Sequence, residues 1–333
     1  MIIDSHKRKL DYLRVSVTDR CNLRCVYCMP PEGVEWKPHG SMLTFEETLR
    51  LCGIMANLGI KKIKLTGGEP LVRRGLAGFL KNLRELPGIE NVTLTTNALL
   101  LGPYLDEAEK LLPNSLPDSV NISLNALDAE VYKHITRSND SNPTEVFFWI
   151  DRLLEKNISV KINCVTIRSY NEKEIIPLAS HAKDKNIAVR FIELMPLGSA
   201  AGLDPITGDE TAAILEQAYG PLTPISGVHG NGPAVYYSLQ GFKGKIGFIN
   251  PVSHGFCDSC NRLRLNSEGI LKPCLSSDLA LDLKSLIRNG AEDTKITEAI
   301  IKAAANKPKV HTFSHIYGAA PAKHPAGMSK IGG

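Results

Sequence analysis

Between residues 10 and 195 the chain alternates short β-branched runs with longer stretches of helical periodicity, the pattern of successive strand–helix units building a parallel sheet. Six strands are predicted, at 13–18, 60–66, 91–97, 120–125, 158–166 and 187–194, with helices between them that include 44–58, 76–86, 144–156 and 172–185. Thr44 and Glu47 have the spacing of a capping box opening the first helix. Six units are too few for the usual closed eight-stranded barrel, so a doubly wound sheet or an incomplete barrel would fit. Strand parity favours the second. Leu13, Val15 and Val17 share one face of the first strand, and Arg14, Ser16 and Thr18 the other. The same split groups Lys64 with Thr66, Thr93 with Thr95, Asn121 with Ser123 and Asn125, and Ser159 with Lys161 and Asn163. Parallel strands covered on both sides read as continuous apolar runs. These do not, and a sheet curved around a wet, cationic lumen explains them better. The sixth strand breaks the rule, because Arg190 shares parity with Ile192 and Leu194.

Beyond residue 195 the chain becomes rich in Gly and Pro around one helical stretch at 210–219, then reads as short strands at 234–239, 244–249, 262–266 and 270–275, with helices to about 306. A boundary near Gly220 divides the 333 residues into 1–220 and 221–333. Hydrophobic residues at 43% and charged residues at 22% describe an ordinary globular chain, which excludes a disordered or coiled-coil polymer. A net charge of +4 gives no reason to expect a nucleic-acid partner. No apolar run reaches membrane-spanning length and residues 1–10 lack a signal-peptide core, so a cytoplasmic protein without a membrane partner is expected.

Eight cysteines in such a chain read as metal or redox groups rather than a disulfide framework. Cys52 and Cys164 sit among apolar neighbours and read as packing residues. Cys21, Cys25 and Cys28 follow the first strand with spacing C-x3-C-x2-C, which can hold three irons of a cubane cluster and leave the fourth open. A zinc knuckle using His39 is the structural alternative. At the end of the second strand stands Gly67-Gly68-Glu69-Pro70, where glycine permits close backbone approach and the Glu69 carboxylate can meet an amino-acid portion. The cysteine spacing, the aromatic Tyr27 before the third cysteine and this second motif resemble the radical S-adenosylmethionine superfamily. That resemblance implies a [4Fe-4S] cluster, S-adenosyl-L-methionine as cofactor and a partial (βα)6 TIM-like barrel of α/β class.

Cys257, Cys260 and Cys274 form a second group, C-x2-C-x13-C, and on spacing alone a Cys3His zinc site with His254 competes evenly with an iron–sulfur cluster. The runs GFCDSCNRLRL and KPCL around them, with TGGEPL, LTTN, RFIELM and the terminal MSKIGG, are similar in order to the MoaA-type GTP 3′,8-cyclase family of molybdenum cofactor biosynthesis. The resemblance implies a C-terminal mixed α/β extension carrying a second [4Fe-4S] cluster on Cys257, Cys260 and Cys274. It implies that Tyr27, Gly68, Glu69, Ser123 and Met195 serve the cofactor. Arg14, Lys64, Thr95, Lys161, Arg190, Arg262, Leu263 and Arg264 would serve GTP, and Arg14, Gly332 and Gly333 would be catalytic. Expected partners are a one-electron reductant such as flavodoxin or ferredoxin and the next enzyme, a MoaC-type cyclic pyranopterin monophosphate synthase; a homodimer is compatible but no residue argues for it.

Two positions depart from the family pattern: Lys64 stands where Arg is expected and Asn125 where Asp is common. Arg73 and Arg74 read as the solvated start of the next helix rather than phosphate ligands. Another radical enzyme with an auxiliary cluster, such as a peptide maturase, and a zinc-binding interaction module are the competing functions. The first leaves the Arg262, Arg264 pair without a use and the second leaves GGEP unexplained.

Overall fold

A computed structural model describes residues 1–111, 114–139, 141–227, 230 and 232–313. Its elements run β1 (Tyr12–Ser16), α1 (Phe45–Asn57), β2 (Lys62–Thr66), α2 (Leu76–Arg84), β3 (Asn91–Thr96), α3 (Leu101–Lys110), β4 (Ser119–Ser123), α4 (Ala129–Thr136), α5 (Pro143–Glu155), β5 (Ser159–Thr166), α6 (Ile175–Asp184) and β6 (Ala188–Glu193). They continue with α7 (Gly208–Tyr219), β7 (Thr223–Pro224), β8 (Val235–Ser238), β9 (Lys245–Ile249), β10 (Arg262–Leu265), β11 (Ile270–Lys272), β12 (Leu281–Asp282), α8 (Leu283–Arg288) and α9 (Asp293–Ala305). The capping box at α1 forms as the sequence suggests, with the Thr44 side chain accepting from Glu47 N–H and the Glu47 carboxylate from Thr44 N–H. The helices α3 and α4 were not read from the sequence. Gly102 and Pro103 interrupt the periodicity of the first, and the second is one short segment capped by Asp128 and ended by Arg137 at φ 52°.

Among the described residues twelve strands form one open sheet in the order β12-β11-β10-β1-β2-β3-β4-β5-β6-β9-β8-β7. The six expected strands occupy its middle in parallel succession. Two strands from the C-terminal part, β10 beside β1 and β9 beside β6, are also parallel and extend the run at both ends. The remaining pairs at the margins are antiparallel. The sheet does not close on itself, as expected of a partial barrel.

Leu13, Val15, Ile63, Leu65, Leu94, Ile122 and Ile162 point away from the lumen into one buried core under the helices. The opposite positions stack in register across the lumen face: Arg264, Arg14, Lys64 and Thr93 are lateral neighbours from β10 through β3, and Asn163 lies opposite Arg190. Cys52 and Cys164 are fully buried in the core, where burial pushes the Cys52 thiol up to about 12 and the Cys164 thiol up as well. Among the described residues no helix is long and apolar enough to cross a membrane.

Candidate active site

The carboxyl ends of the parallel strands open into a cavity of about 320 Å3, the end of a parallel barrel where ligands bind. Its wall brings together both cysteine groups, Cys21, Cys25 and Cys28 from the loop after β1 and Cys257, Cys260 and Cys274 from around β10 and β11. Tyr27, Gly68, Ser123, Met195, Arg14, Lys64, Thr95, Arg190, Arg262 and Arg264 line the same space. Below it, at the amino ends of the strands, a polar chamber of about 360 Å3 is lined by Lys161, Lys245, Thr93, Asn121 and Tyr236, and shares Tyr12, Lys64, Arg190 and Gly232 with the upper cavity. The Arg190 anomaly resolves here. Ile192 and Leu194 face the upper lumen with Val165 and Ile249, so the lumen has an apolar sector near its mouth and a cationic floor.

The loop that carries GGEP folds against the loop that leads into Cys21. Gly68 N–H donates to Thr18 O and Glu69 N–H to Arg20 O, each at 2.8 Å. A Cβ on Gly68 would stand 2.3 Å from Arg20 O, and one on Gly67 2.7 Å from Thr18 O. The close approach that these glycines permit is therefore between two stretches of the chain itself. Glu69 is 1% exposed and does not face the cavity. One of its carboxylate oxygens accepts from Thr96 Oγ1 at 2.7 Å and Leu71 N–H at 3.1 Å, the other from Asn97 N–H at 2.7 Å. Burial pushes its carboxyl up to about 7 despite those bonds.

Tyr27 is held by Asn125, whose Nδ2 donates to the phenol oxygen at 3.0 Å while its Oδ1 accepts from Val165 N–H at 2.9 Å. This is the position where Asp is common in the family, and the amide serves both neighbours. The other departure, Lys64, is buried, and its ammonium stands 5.9 Å from the centre of the Tyr12 ring. Burial, then the charges of Arg14, Arg190 and Lys161, hold that amine well below the usual lysine range. Burial and Arg14 bring Arg264 down to about 9, and burial and Arg190 bring Lys161 to about 8. Arg14 is lowered by burial and by Arg262 and Arg190. Cations that depress one another in this way make the lumen face electropositive. Arg190 is fixed there by Asn163 Oδ1 at 2.8 Å and Asn121 Oδ1 at 2.6 Å, both neutral acceptors.

Leu263 is fully buried on the core face of β10, between the two arginines that face the lumen. Lys161 lies in the lower chamber rather than at the mouth. Gly332 and Gly333 lie outside the described residues, as does the His39 side chain. Arg73 is not merely solvated: its guanidinium donates to Val17 O and Leu43 O and covers the Phe45 ring, which pins the loop after β2, while Arg74 is exposed. Sequence reading missed Arg8, Lys307 and Glu193. The Glu193 carboxylate accepts from Val252 and Ser253 N–H at 2.9 Å each and sets the approach to Cys257.

The donor sets fit clusters better than single ions. Among the described residues no three His, Cys, Asp or Glu groups converge closely enough for one metal ion. A cubane gives each thiolate its own iron, so its three cysteines stand around one cluster rather than converge on one ion. His254 points elsewhere, with its Nε2 3.0 Å from the Asp209 carboxylate and its side chain well exposed. Burial and the neighbouring thiols push Cys25 up, and burial pushes Cys21 up to about 11. At the second group burial also opposes ionisation of Cys260, but Arg262 and Lys307 outweigh it and hold that thiol at about 7.

Residues 15–182 match the radical SAM superfamily, and residues 187–313 match Molybdenum Cofactor Synthesis C. A GTP 3′,8-cyclase of Clostridium perfringens (strain 13 / Type A) is 42% identical over 310 residues, covering 93% of this chain and 94% of that one. One from Moorella thermoacetica is 40% identical and covers 99% of each chain. Among solved structures, Streptococcus suis SuiB bound to S-adenosylmethionine superposes with a TM-score of 0.58 at 16% identity, covering 87% of this chain and 68% of that one, a likeness of fold alone.

Proposed function

The chain belongs to the GTP 3′,8-cyclase family within the radical S-adenosylmethionine superfamily, and from its site we infer how the two cysteine groups and the lumen divide the work. The activity is the conversion of GTP to (8S)-3′,8-cyclo-7,8-dihydroguanosine 5′-triphosphate, an early step of molybdenum cofactor biosynthesis, with S-adenosylmethionine and two [4Fe-4S] clusters as cofactors. When bound, the first cluster with S-adenosylmethionine supplies a one-electron cleavage whose carbon radical takes a hydrogen from the ribose.

The chain's own residues arrange the partners. Cys21, Cys25 and Cys28 hold the first cluster, and Tyr27, Gly68, Ser123 and Met195 surround the cofactor beside it. Glu69 acts one layer back, fixing the ends of β2 and β3 against each other. Cys257, Cys260 and Cys274 hold the second cluster across the mouth. Arg14, Lys64, Thr95, Arg190, Arg262 and Arg264 receive GTP between them, with Lys161 below to meet the far end of the triphosphate. Arginine forks and lysine point charges together suit that polyanion. Leu263 anchors β10 so that both arginines face inward. The apolar sector of Val165, Ile192, Leu194 and Ile249 keeps water from the reacting carbons. Gly332 and Gly333 complete the reading as a catalytic tail, and Arg14 as a catalytic cation of the lumen.

The observation that carries this reading is one cavity with both cysteine groups in its wall and a cationic floor beneath. Holding cofactor and substrate in one space before the radical forms is a proximity effect. A one-electron donor such as flavodoxin or ferredoxin, hand-over of the product to a MoaC-type synthase, a cytoplasmic setting, a homodimer and a working division near Gly220 belong to the same proposal. The test is anaerobic reconstitution followed by incubation with S-adenosylmethionine, GTP and dithionite. About eight irons and a GTP-dependent cyclic product are expected, four irons to each cubane. About four irons with one zinc would reassign the second cysteine group to structure, and zinc without iron would overturn the enzyme.

A further inference from the structure

Residues 307–313 follow α9 and pass along the C-terminal cysteines, meeting Cys260 and Cys257 directly and Cys274 through Ser276. Lys307 is 2% exposed, and its Nζ donates to Arg262 O at 2.9 Å and to Pro273 O. Those carbonyls lie two residues after Cys260 and one before Cys274, so a single ammonium ties both cysteine-bearing stretches together. The same ammonium hydrogen-bonds Cys260. Further along, the His311 backbone N–H reaches Cys257. Thr312 N–H donates to Ser276 Oγ at 3.4 Å, and that hydroxyl stands 3.5 Å from Cys274 Sγ.

The start of the chain locks this segment down. Arg8 is 8% exposed and donates to Cys257 O at 2.8 Å, to Pro308 O at 2.7 Å and to Lys309 O at 3.0 Å. Its Nε pairs with the Asp4 carboxylate at 2.6 Å. A buried cation spent on so many backbone carbonyls is a structural brace, and removing one partner of such a network leaves its other members unsatisfied. The reduction potential of a bound cluster depends on hydrogen bonds to its sulfurs and on local charge.

We propose that residues 307–313, braced by Arg8, strap the C-terminal cluster in place, with Lys307 as a positioning residue whose buried charge also favours the reduced, more negative state of that cluster. The inference rests on the reading that Cys257, Cys260 and Cys274 hold an iron–sulfur cluster. Lys307→Gln and Lys307→Arg in the full chain, reconstituted anaerobically, test it by iron and sulfide content and by a potentiometric titration followed by electron paramagnetic resonance. Gln keeps a donor and loses the charge; Arg keeps both. The expected result is that K307Q either loses about half of its iron or retains it with the C-terminal midpoint moved to lower potential. K307R should restore wild-type content and potential, and in both variants the N-terminal cluster and cleavage of S-adenosylmethionine by dithionite should stay as in wild type, which reports that the barrel is folded. Asp4→Asn, which loosens the brace from the far side, should speed iron loss to a chelator from the C-terminal site only. Full iron content with an unchanged midpoint in K307Q would overturn the proposal. A wild-type protein with only about four irons would instead remove the cluster itself and bring down the reading beneath it.

Discussion

Cys21, Cys25 and Cys28 lie on one eight-residue loop after β1, whereas Cys257 and Cys260 precede β10 and Cys274 follows β11. The first group can find its geometry from a short stretch of chain; the second exists only once the sheet and residues 307–313 are assembled. Their electrostatics differ as well. The buried ionisable group behind the first loop is a carboxyl, Glu69, and the thiols there are pushed up. The buried groups beside the second are cations, Lys307 and Arg8, and Arg262 with Lys307 brings Cys260 down. One thiol of the second set, Cys260, is thus brought down where Cys21 and Cys25 are pushed up, while burial still pushes Cys257 up.

The largest effect that would break this comparison comes from the cysteines themselves. Cys25→Ser should abolish both 5′-deoxyadenosine formation and cyclisation, while Cys257→Ser should spare the former and abolish the latter, both read by chromatography of anaerobic reactions. Cyclisation at the wild-type rate by Cys257→Ser would make the two groups redundant. Next, Arg264→Ala should lower kcat/KM for GTP by roughly 10- to 100-fold, the worth of a hydrogen bond to a charged group, with cofactor cleavage intact. Kinetics equal to wild type would detach β10 from the substrate.

A smaller effect separates the two buried ionisable groups. Glu69 has a folded pKa of about 7 against a reference of 4.5, so the folded chain binds this proton more tightly than the unfolded chain. Its contribution to stability is therefore fully present below about pH 4.5, declines as pH rises to 7 and is flat above, by about 3 kcal/mol at most. Denaturant unfolding of the metal-free protein across that range should show the decline in wild type and a reduced slope in Glu69→Gln. Parallel slopes would mean that Glu69 is already ionised at acid pH. The smallest change is at Asn125. Asn125→Asp keeps the acceptor for Val165 N–H and replaces the donor to the Tyr27 oxygen by an acceptor for its hydroxyl proton, so it should hardly alter KM for S-adenosylmethionine. Asn125→Leu loses about 1 kcal/mol of hydrogen bonding and should raise it by about fivefold. Equal KM values for the two would remove Asn125 from the support of Tyr27.

Much of the barrel was legible because a lumen imposes a period-two code. Arg14, Lys64 and Asn121 alternate with core residues on strands that a helix-covered flat sheet would have made apolar throughout, and these residues line the upper cavity, both spaces and the lower chamber in turn. The parity of Arg190 with Ile192 could not be interpreted locally, since only the closed-in mouth shows that one lumen has a wet end and a dry end. The glycines of GGEP were legible as necessary but not for the right neighbour: the contact that demands them comes from residues 18–20, on another loop.

The sequence by itself determined the ligand types, the six central strands and the cationic face, because each is written in local spacing that survives without knowledge of the fold. Only the tertiary structure decided that strands from the far end of the chain flank the sheet on both sides, and that Arg8 and Lys307 meet at the second cysteine group. The physical reason is that a buried cation is defined by the carbonyls it reaches. Those of Lys307 lie 45 and 34 residues away along the chain, and no periodicity records them.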